Sequence, residues 1–430
     1  MRLMNRLMAL GGVSGLVCGS MAAQGTQKLS LKDAEQIAIQ NHPQIQAAAD
    51  LASAAKAQVI EARSSYYPTV YGSLTAVDSE NNSRITAGGL NNPIIYERAA
   101  GGVSVSQLIT DFGRTTNLVA SAAFSQRAEE QNALATKEQI LLEVNQTFFS
   151  ALQTHAVLRV AEETVNARQL VADQVGALTK NKLKSELDLS FANVSLAQAK
   201  LLLLDAQNND KAALASLSAV LGYPALQDLT LMEDTEAINT PPANIDALIT
   251  EALAKRPELL ALDYQYQAAQ KLKTAERDLL LPSIRALGAV GGAPVRNDHL
   301  PSWYGAVGAN MDIPIFNGFL YTARSHEADL RSQAARDRVL DLRNRISRDV
   351  RTSWLNANAA YDRLAVTQQF LQQAQLALDL AQARYKLGLG SIVELSQAQL
   401  QATQAEISNA QAGYDYRLAS SVLRYETSGL

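Results

Sequence analysis

The chain has 430 residues but only 11 prolines, 8 phenylalanines and 2 tryptophans, which is too few large core residues for several compact domains. Alanine, glutamine and leucine dominate, a composition typical of long helices that pack through small residues. The formal net charge is -4, from 38 basic and 42 acidic residues without a block of like charges, which argues against binding to nucleic acid or to an anionic lipid surface.

Residues 1–22 have the layout of a secretory signal peptide. Two arginines precede an apolar run over residues 7–17, and small residues follow it. The single cysteine, Cys18, lies in this segment, and Val17 before it fits a lipoprotein cleavage site poorly, so lipidation is disfavoured. We therefore expect an exported mature chain without cysteine, which excludes disulfides, thiol catalysis and thiolate metal sites.

An internal repeat follows the signal segment. Asn41–Leu74 matches Lys255–Gly288, and the paired prolines of the two stretches stand 214 positions apart (257 − 43 and 282 − 68). Further on, Ser185–Ser190 matches Ser391–Ser396 at a spacing of 206 positions (391 − 185). The spacing changes only between residues 74 and 106, so one loop holds the net length difference between the two halves.

The repeat divides the chain into a first half, 23–221, a linker, 222–244, and a second half, 245–430. Each half is predicted to contain a short helix, a long helix, two strands around a loop, a very long helix, a turn and another long helix. No proline or glycine occurs from Phe319 to Leu387, so a helix there would extend for about 100 Å. A globular core has no use for a rod of that length.

Two stretches in each half alternate in the manner of β-strands: residues 69–77 and 101–109 in the first half, and 283–290 and 303–313 in the second. They approach the roughly 9 to 11 residues of a transmembrane strand, and aromatic residues gather near their ends. An ordinary antiparallel sheet would explain any single strand equally well. The mature sequence shows no apolar run near the roughly 20 residues of a membrane-spanning helix, so any membrane crossing is predicted to use the strands.

Four strands are too few to close a barrel, because about eight are needed before the interior holds even side chains. An open sheet edge in lipid would leave unpaired amides, each at a cost of several kcal/mol. If the strands cross a membrane, several chains must therefore share one barrel. Three chains would supply twelve strands and would gather the long helices into a tube.

The very long helix of the second half carries a seam of alternating large and small residues. The large residues recur at every seventh position, and each is followed three positions later by a small one. The large residues are Leu364, Leu371, Leu378 and Tyr385, and the small ones are Thr367, Ala374, Ala381 and Gly388. This pattern indicates close antiparallel helix packing. An isolated coiled coil would explain the seam equally well, but it would not explain the strands.

Five stretches resemble the repeated signatures of the TolC family of outer-membrane efflux and secretion channels: LSLKDAEQIAIQNHPQI, EARSSYYPTV, SQLITDFGR, IPIFNGF and YKLGLGSIVELSQAQ. The resemblance covers both halves in order. It implies a mostly α fold with a transmembrane β part, in which a homotrimer forms a twelve-strand β-barrel in the outer membrane, continued by a twelve-helix α-barrel across the periplasm. It also implies a passive export channel whose partners are a periplasmic adaptor protein and an inner-membrane transporter, in an efflux or type I secretion system.

The resemblance assigns roles at the two turns between tunnel helices. Tyr385 and Gly388 match the Y-x-x-G of the family's periplasmic turn. The residues that the resemblance implies as adaptor contacts are Gly388, Leu389, Gly390 and Ser391 in the second half, with Lys182, Leu183 and Ser185 at the equivalent turn of the first half. Lys182 stands where the second half has glycine, which departs from the pattern.

The resemblance also implies an acidic gate just past these turns. Glu394 matches one gate position, but Gln397 replaces the second acid, which implies a less cation-selective entrance. Asp188 matches the acid that the family pairs with the tyrosine, here Tyr385. Gly390 stands where some members place an arginine, so a salt-bridged lock is not expected. Alternatively, Glu394 and Asp188 are ordinary solvated charges on helices.

No motif for catalysis, metal binding or cofactor binding is found in the sequence. Gly388-x-Gly390 lacks the further glycines, strand and lysine of a phosphate loop, and His326-Glu327 lacks the second histidine of a zinc-protease helix. We therefore expect no enzymatic activity and no cofactor. The alternative function is a periplasmic coiled-coil adaptor or scaffold, which would share the long helices but lack the strands. The sequence does not identify the exported substrate.

Overall fold

The computed structural model describes residues 27–428, except 79, 81–83, 88, 89, 95, 96, 226, 228, 234–237, 297, 299 and 300. The predicted signal peptide, 1–22, and Cys18 within it lie outside the described residues. In the described part the helices are α1 (Leu31–Asn41), α2 (Pro43–Ser64), α3 (Arg114–Lys180), α4 (Glu186–Val220), α5 (Ile245–Lys255), α6 (Pro257–Arg277), α7 (Leu320–Lys386) and α8 (Ile392–Ser428).

The two very long helices, α3 and α7, have 67 residues each, as the absence of helix breakers in α7 predicts. At 1.5 Å per residue each helix is about 100 Å long. The helices that precede the strands, α2 in the first half and α6 in the second, also begin in the same way: both start with a proline in the first turn, where a missing amide donor costs nothing. The same order of helices and strands thus occurs twice along the chain.

The strands are β1 (Gln27–Leu29), β2 (Thr69–Val77), β3 (Arg84–Ala87), β4 (Leu90–Ile94), β5 (Arg98–Thr110), β6 (Leu229–Leu231), β7 (Ser283–Arg296) and β8 (Trp303–Asp312). The four predicted strands are confirmed as β2, β5, β7 and β8, which form one antiparallel sheet in the order β2-β5-β7-β8. Within the described residues, β2 and β8 are therefore edge strands. The parallel β1-β6 pair and the β3-β4 hairpin are additional to the prediction.

Each half turns from its second strand into its very long helix through two consecutive left-handed residues. In the first half they are Phe112, with φ 55°, and Gly113, with φ 114°. In the second half they are Gly318, with φ 63°, and Phe319, with φ 67°. Glycine and phenylalanine exchange places between the halves, so the backbone turn is kept although the sequence order is reversed.

The two very long helices take part in both of the main helical arrangements: each forms an antiparallel hairpin with the helix that follows it, and each also belongs to a layer of four helices. α3 pairs with α4, and α7 with α8, while α2, α3, α6 and α7 lie side by side in that order. The predicted seam on α7 is confirmed for Thr367, Ala374 and Ala381, which are buried beside partly buried leucines, whereas Gly388 lies beyond the end of α7 and is exposed. Close approach of the backbones at small residues explains why the long rods need few large core side chains.

The short elements are fixed to the long helices by two apolar clusters. In the first half, Leu29 of β1 packs with Val144 and Phe148 of α3 and with Leu217 of α4. In the second half, Ala252 of α5 packs into the cluster formed with α6 and α7. A hydrogen bond from Asn145 to Glu35 and an ion pair of Arg351 with Asp246 join α1 to α3 and α5 to α7.

The helix α4 meets the length and composition criteria for crossing a membrane, and only 17% of its apolar window is buried. The prediction that the mature chain contains no such apolar run is therefore wrong on these two criteria. The physical reason is that α4 has two apolar faces. One face packs on α3, whereas the other leaves Leu187, Val194 and Leu201 exposed at every seventh position.

Candidate functional site

The candidate site comprises the two turns at which the long hairpins reverse, called here the first tip (Asn181–Ser185) and the second tip (Leu387–Ser391). Lys182 in the first tip has φ 62°, and Gly388 in the second has φ 72°. In both tips the following leucine donates its backbone amide across the turn, Leu183 to Leu178 O at 2.9 Å and Leu389 to Arg384 O at 2.8 Å. This is the hydrogen-bond pattern of a Schellman helix end, so the two tips have the same backbone shape.

Glycine suits the second tip because of its backbone angle, not because of crowding. A Cβ added to Gly388 would meet nothing within 4 Å. Lys182 adopts the same left-handed conformation at the equivalent position, so its departure from glycine does not change the turn. Leu183 and Leu389 are both exposed at the ends of the hairpins, at 70% and 69%.

Asp188 serves as a helix cap and makes no hydrogen bond to Tyr385 among the described residues. Its Oδ2 accepts from the Ser185 amide at 3.2 Å and from the Ser185 hydroxyl at 2.9 Å, and its own amide donates to Ser185 Oγ at 3.1 Å. This reciprocal arrangement is a capping box. The tyrosine pairing that the resemblance implies for Asp188 is therefore absent from this conformation.

Tyr385 is buried, and its hydroxyl has no hydrogen-bond partner among the described residues. The ammonium of Lys184 lies 4.1 Å from the centre of its ring, in the geometry of a cation–π contact. Burial, and next the negative charge of Asp188, raises the pKa of the Tyr385 phenol. The first tip thus contacts the end of α7, next to the second tip, through the face of this ring, whereas the hydroxyl is left unsatisfied.

Glu394 forms an ion pair with Arg384 across the second tip. Arg384 Nε lies 3.1 Å from Glu394 Oε1, and Arg384 also donates to Leu389 O at 3.2 Å. A Cβ on Gly390 would stand 3.2 Å from both the Arg384 Cβ and Glu394 Oε2. Gly390 therefore leaves room for the ion pair. Arg384 is a site residue that the sequence analysis missed, since only the folded turn brings it to Glu394.

A second cationic group links the two hairpins further from the tips. Arg168 of α3 is buried and donates to Gln399 O at 2.8 Å and to Thr403 Oγ1 at 3.1 Å, both on α8. Burial lowers the pKa of Arg168 to about 10, and the nearby Glu406 opposes this shift. Arg168 is the second functional candidate that the sequence analysis missed, because a buried arginine inside a helix leaves no local signal.

Gln397 lies apart from the ion pair. It is exposed and lines a groove of about 480 Å³ between α4 and α8, together with Phe191, Val194 and Leu400. Ser391 caps α8 by accepting from the Glu394 amide at 3.1 Å. The structure thus brings Tyr385, Gly390, Ser391 and Glu394 together at the second tip.

The described residues contain no group of three or more His, Cys, Asp or Glu side chains that could hold a metal ion. What the tips offer instead is an apolar leucine at each end, an exposed ion pair, and a buried contact between hairpins. Such an arrangement can dock a protein, but within the described residues of the two tips it presents no nucleophile beside a base.

Comparison with known proteins gives consistent matches over both halves. A family model described as outer membrane efflux protein matches residues 35–223 and 248–425. The chain is 26% identical to the outer membrane efflux protein BepC of Brucella suis biovar 1, over 84% of this chain and 77% of BepC. It is also 26% identical to the outer membrane protein TolC of Vibrio cholerae, over 90% of this chain and 87% of that protein.

The fold also has solved counterparts. The Campylobacter jejuni CmeC outer membrane channel superposes with a TM-score of 0.82 at 17% identity, over 99% of this chain and 94% of CmeC. At this level of identity the likeness concerns the fold, which is the mostly helical one with long hairpins described above.

Proposed function

From the premise that the chain belongs to the outer membrane efflux protein family, we propose that it is the outer-membrane channel subunit of a tripartite efflux or type I secretion system. It acts as a passive conduit, not as an enzyme, and extends from the outer membrane into the periplasm. In this arrangement residues 1–22 are the signal peptide, 23–221 and 245–430 are the repeats, and 222–244 is the equatorial linker.

The observation that carries this proposal is a four-stranded sheet with two unpaired edges, joined to helices of about 100 Å. Lipid does not tolerate open sheet edges, since each unpaired amide costs several kcal/mol there. Pairing of β8 with β2 of the next copy removes both edges. Three copies then form a twelve-strand barrel, and their hairpins form a twelve-helix tube below it.

The exposed apolar face of α4 supports the same assembly. Leu187, Val194 and Leu201 are 64%, 54% and 62% exposed in the single chain, at a heptad spacing. A row of water-exposed apolar side chains is unfavourable, at roughly 25 cal/mol for each Å² of apolar surface. A neighbouring helix of another copy covers such a row, as in a coiled coil.

The second tip is proposed as the periplasmic gate and, with the first tip, as the adaptor contact. Leu183 and Leu389 present an apolar group at each tip, and Lys182, Ser185, Gly388, Gly390 and Ser391 form the surrounding turns. Glu394 carries the gate charge, and Arg384 neutralises part of it, so the entrance is less cation-selective than an acidic ring would be. Gln397 replaces the second acid, and Asp188 and Tyr385 adjoin the contact between hairpins.

The proposal is tested by purification and reconstitution. The protein is expected to require detergent for extraction from envelopes and to form ion channels in planar bilayers. Release of a folded, monodisperse protein by buffer alone, without channel activity, would instead support a periplasmic scaffold. Glu394→Ala, compared with Arg384→Ala, tests the gate: removal of the acid lowers cation preference, whereas removal of the arginine raises it. Identical selectivity in the two variants would remove this pair from the conduction path.

A further inference from the structure

Four arginines form a stripe along the N-terminal half of α7. They are Arg324, Arg331, Arg338 and Arg345, spaced at every seventh position, and all four are exposed. A heptad spacing keeps residues on one side of a helix, and at 1.5 Å per residue the stripe is about 30 Å long. We call these four residues the arginine stripe.

The stripe lies away from the faces of α7 that contact α5 and α6. Toward α6, Arg343 pairs with Asp263 at 3.7 Å, and toward α5, Arg351 pairs with Asp246 at 3.8 Å. At roughly 100° per residue, Arg338 stands about 140° around the helix from each of these two arginines. The guanidinium groups of the stripe therefore face neither α5 nor α6.

The side of the helical layer to which the stripe belongs follows from the repeat. Arg351 of α7 contacts the short helix α5, and the equivalent residue of α3, Asn145 (351 − 206), contacts the short helix α1. The short elements of both halves therefore pack on the same side of the layer. When three copies close into a tube, a further layer of helices on the inside would fill the lumen, so we place these short elements on the outside and the stripe on the opposite, inner side.

Intrachain acids neutralise only half of the stripe. Arg331 pairs with Glu327 at 2.6 Å, and Arg345 pairs with Asp341 at 3.0 Å. Arg324 and Arg338 form no ion pair in the part of the chain that the structure describes. Two guanidinium groups per chain are thus free to bind an anion bidentately.

The stripe is specific to the second half. The equivalent positions of α3, 206 residues earlier, hold neutral residues: Leu118, Ser125, Asn132 and Gln139. Residues 320–351 of α7 contain eight arginines against five acids, whereas residues 114–145 of α3 contain three basic residues and four acids. The duplicated scaffold does not need these arginines, since α3 packs without them.

We infer that the arginine stripe lines the lumen and forms a path for small organic anions, which makes anions bearing carboxylate, sulfonate or phosphate groups the favoured cargo. This rests on the proposed function, because three copies must close around the stripe. Six unpaired guanidinium groups per trimer would raise the local anion concentration in a confined, partly dehydrated tube. Exchange between successive arginines one heptad apart would let the anion move along the wall.

The test is selectivity of the reconstituted channel. The double variant Arg324→Gln/Arg338→Gln is expected to lower the anion-to-cation permeability ratio at least about twofold, and to weaken block by naphthalene trisulfonate at least about tenfold. Arg324→Lys/Arg338→Lys keeps the charge and is expected to retain the permeability ratio. Arg351→Gln removes one positive charge from the face of the same helix that contacts α5, and it serves as the control for loss of charge outside the proposed lumen.

A second measurement places the stripe independently of these substitutions. Because the predicted mature chain has no cysteine, Arg338→Cys introduces a unique thiol, which a negatively charged methanethiosulfonate is expected to modify with a change in single-channel current. The anion path would be overturned by stripe variants whose selectivity and block match those of Arg351→Gln, or by an Arg338→Cys channel whose current the thiol reagent leaves unchanged. Failure of the unsubstituted protein to form channels would instead overturn the proposed function.

Discussion

Replacement of Gly388 by alanine separates the backbone requirement of the second tip from its role in docking. The φ of 72° costs an L-residue roughly 1 to 2 kcal/mol. No further cost arises from packing, since a Cβ there meets nothing within 4 Å. Lys182 shows that the same turn forms with a side chain at φ 62°. Because the equivalent turn already accepts a lysine, Gly388→Ala is expected to leave assembly intact and to lower local stability by the lower end of this range, about 1 kcal/mol.

The effect on adaptor binding is expected to be larger than this strain. If the backbone of an adaptor hairpin approaches Gly388 closely, the added methyl group blocks the contact. Affinity for the purified adaptor then falls by more than the tenfold that corresponds to about 1.4 kcal/mol. The assay is calorimetric or interferometric titration of the reconstituted channel, with thermal unfolding measured on the same samples.

Lys182→Ala is the matched control. It shortens the side chain at the equivalent left-handed position, which holds a residue other than glycine both before and after the change. It is expected to change neither thermal stability nor channel assembly. Two results would refute the reasoning. In one, Gly388→Ala fails to assemble, so that the turn needs glycine after all. In the other, it binds the adaptor with unchanged affinity, so that nothing approaches this backbone.

Three further substitutions test the packing around the tips and along α3. Tyr385→Phe is expected to preserve or raise the melting temperature and to leave resting conductance unchanged, since the lost hydroxyl has no partner. A higher resting conductance would instead indicate that the hydroxyl donates a hydrogen bond to Asp188. Arg168→Met removes two hydrogen bonds between α3 and α8, so resting conductance is expected to rise. The melting temperature is expected to change little, because the variant no longer buries a charge. A resting conductance equal to that of the unsubstituted channel would contradict the role of Arg168 in joining the two hairpins. Burial, and next the charge of Glu258, raises the pKa of Glu138 from 4.5 to about 7, against the opposing charges of Arg256 and Lys137. The folded state thus binds this proton more tightly than the unfolded state, so the free energy of unfolding falls as pH rises from about 4.5 to about 7. In a plot of melting temperature against pH, Glu138→Gln should reduce the slope over this range. An unchanged slope would exclude Glu138 as the cause.

Features that depend on periodic patterns are predictable from this sequence. The alternation over residues 69–77 predicts the bounds of β2, and the stretch 101–109 lies within β5. The seam of Thr367, Ala374 and Ala381 is buried as the heptad predicts. In each case the pattern spans several turns or strand residues, so the burial of a whole face determines the outcome.

Features that depend on one contact across the fold are not predictable in this way. The Arg384–Glu394 pair forms because the turn folds back over Gly390, and the Arg168 bonds to α8 join residues more than 200 positions apart. Asp188 illustrates the converse case. Its spacing from Ser185 is that of a capping box, a local signal that outweighs the family's tyrosine pairing in this conformation.

The central claim is that β8 of one chain pairs with β2 of the next, and the repeat predicts the register of that pairing. The repeat spacings already relate an observed pair in the first half, Thr69 with Ser106, to an observed pair in the second, Ser283 with Asp312. Applied to the observed pair of Ser104 with Ala289, the same spacings place Asn310 opposite Thr75 of the neighbour (104 + 206 and 289 − 214).

Cysteine crosslinking of this pair tests the claim most directly. Directly opposed residues have Cβ atoms about 4.5 to 5.5 Å apart, within reach of a short thiol crosslinker. Asn310→Cys/Thr75→Cys is predicted to give covalent trimers in the membrane, whereas Ser104→Cys/Ala289→Cys crosslinks within one chain and runs as a monomer. Asn310→Cys/Ala76→Cys places the second thiol on the other face of the sheet and should crosslink poorly. A crosslinked monomer for the first pair, or no crosslink while the control reacts, would contradict the shared barrel.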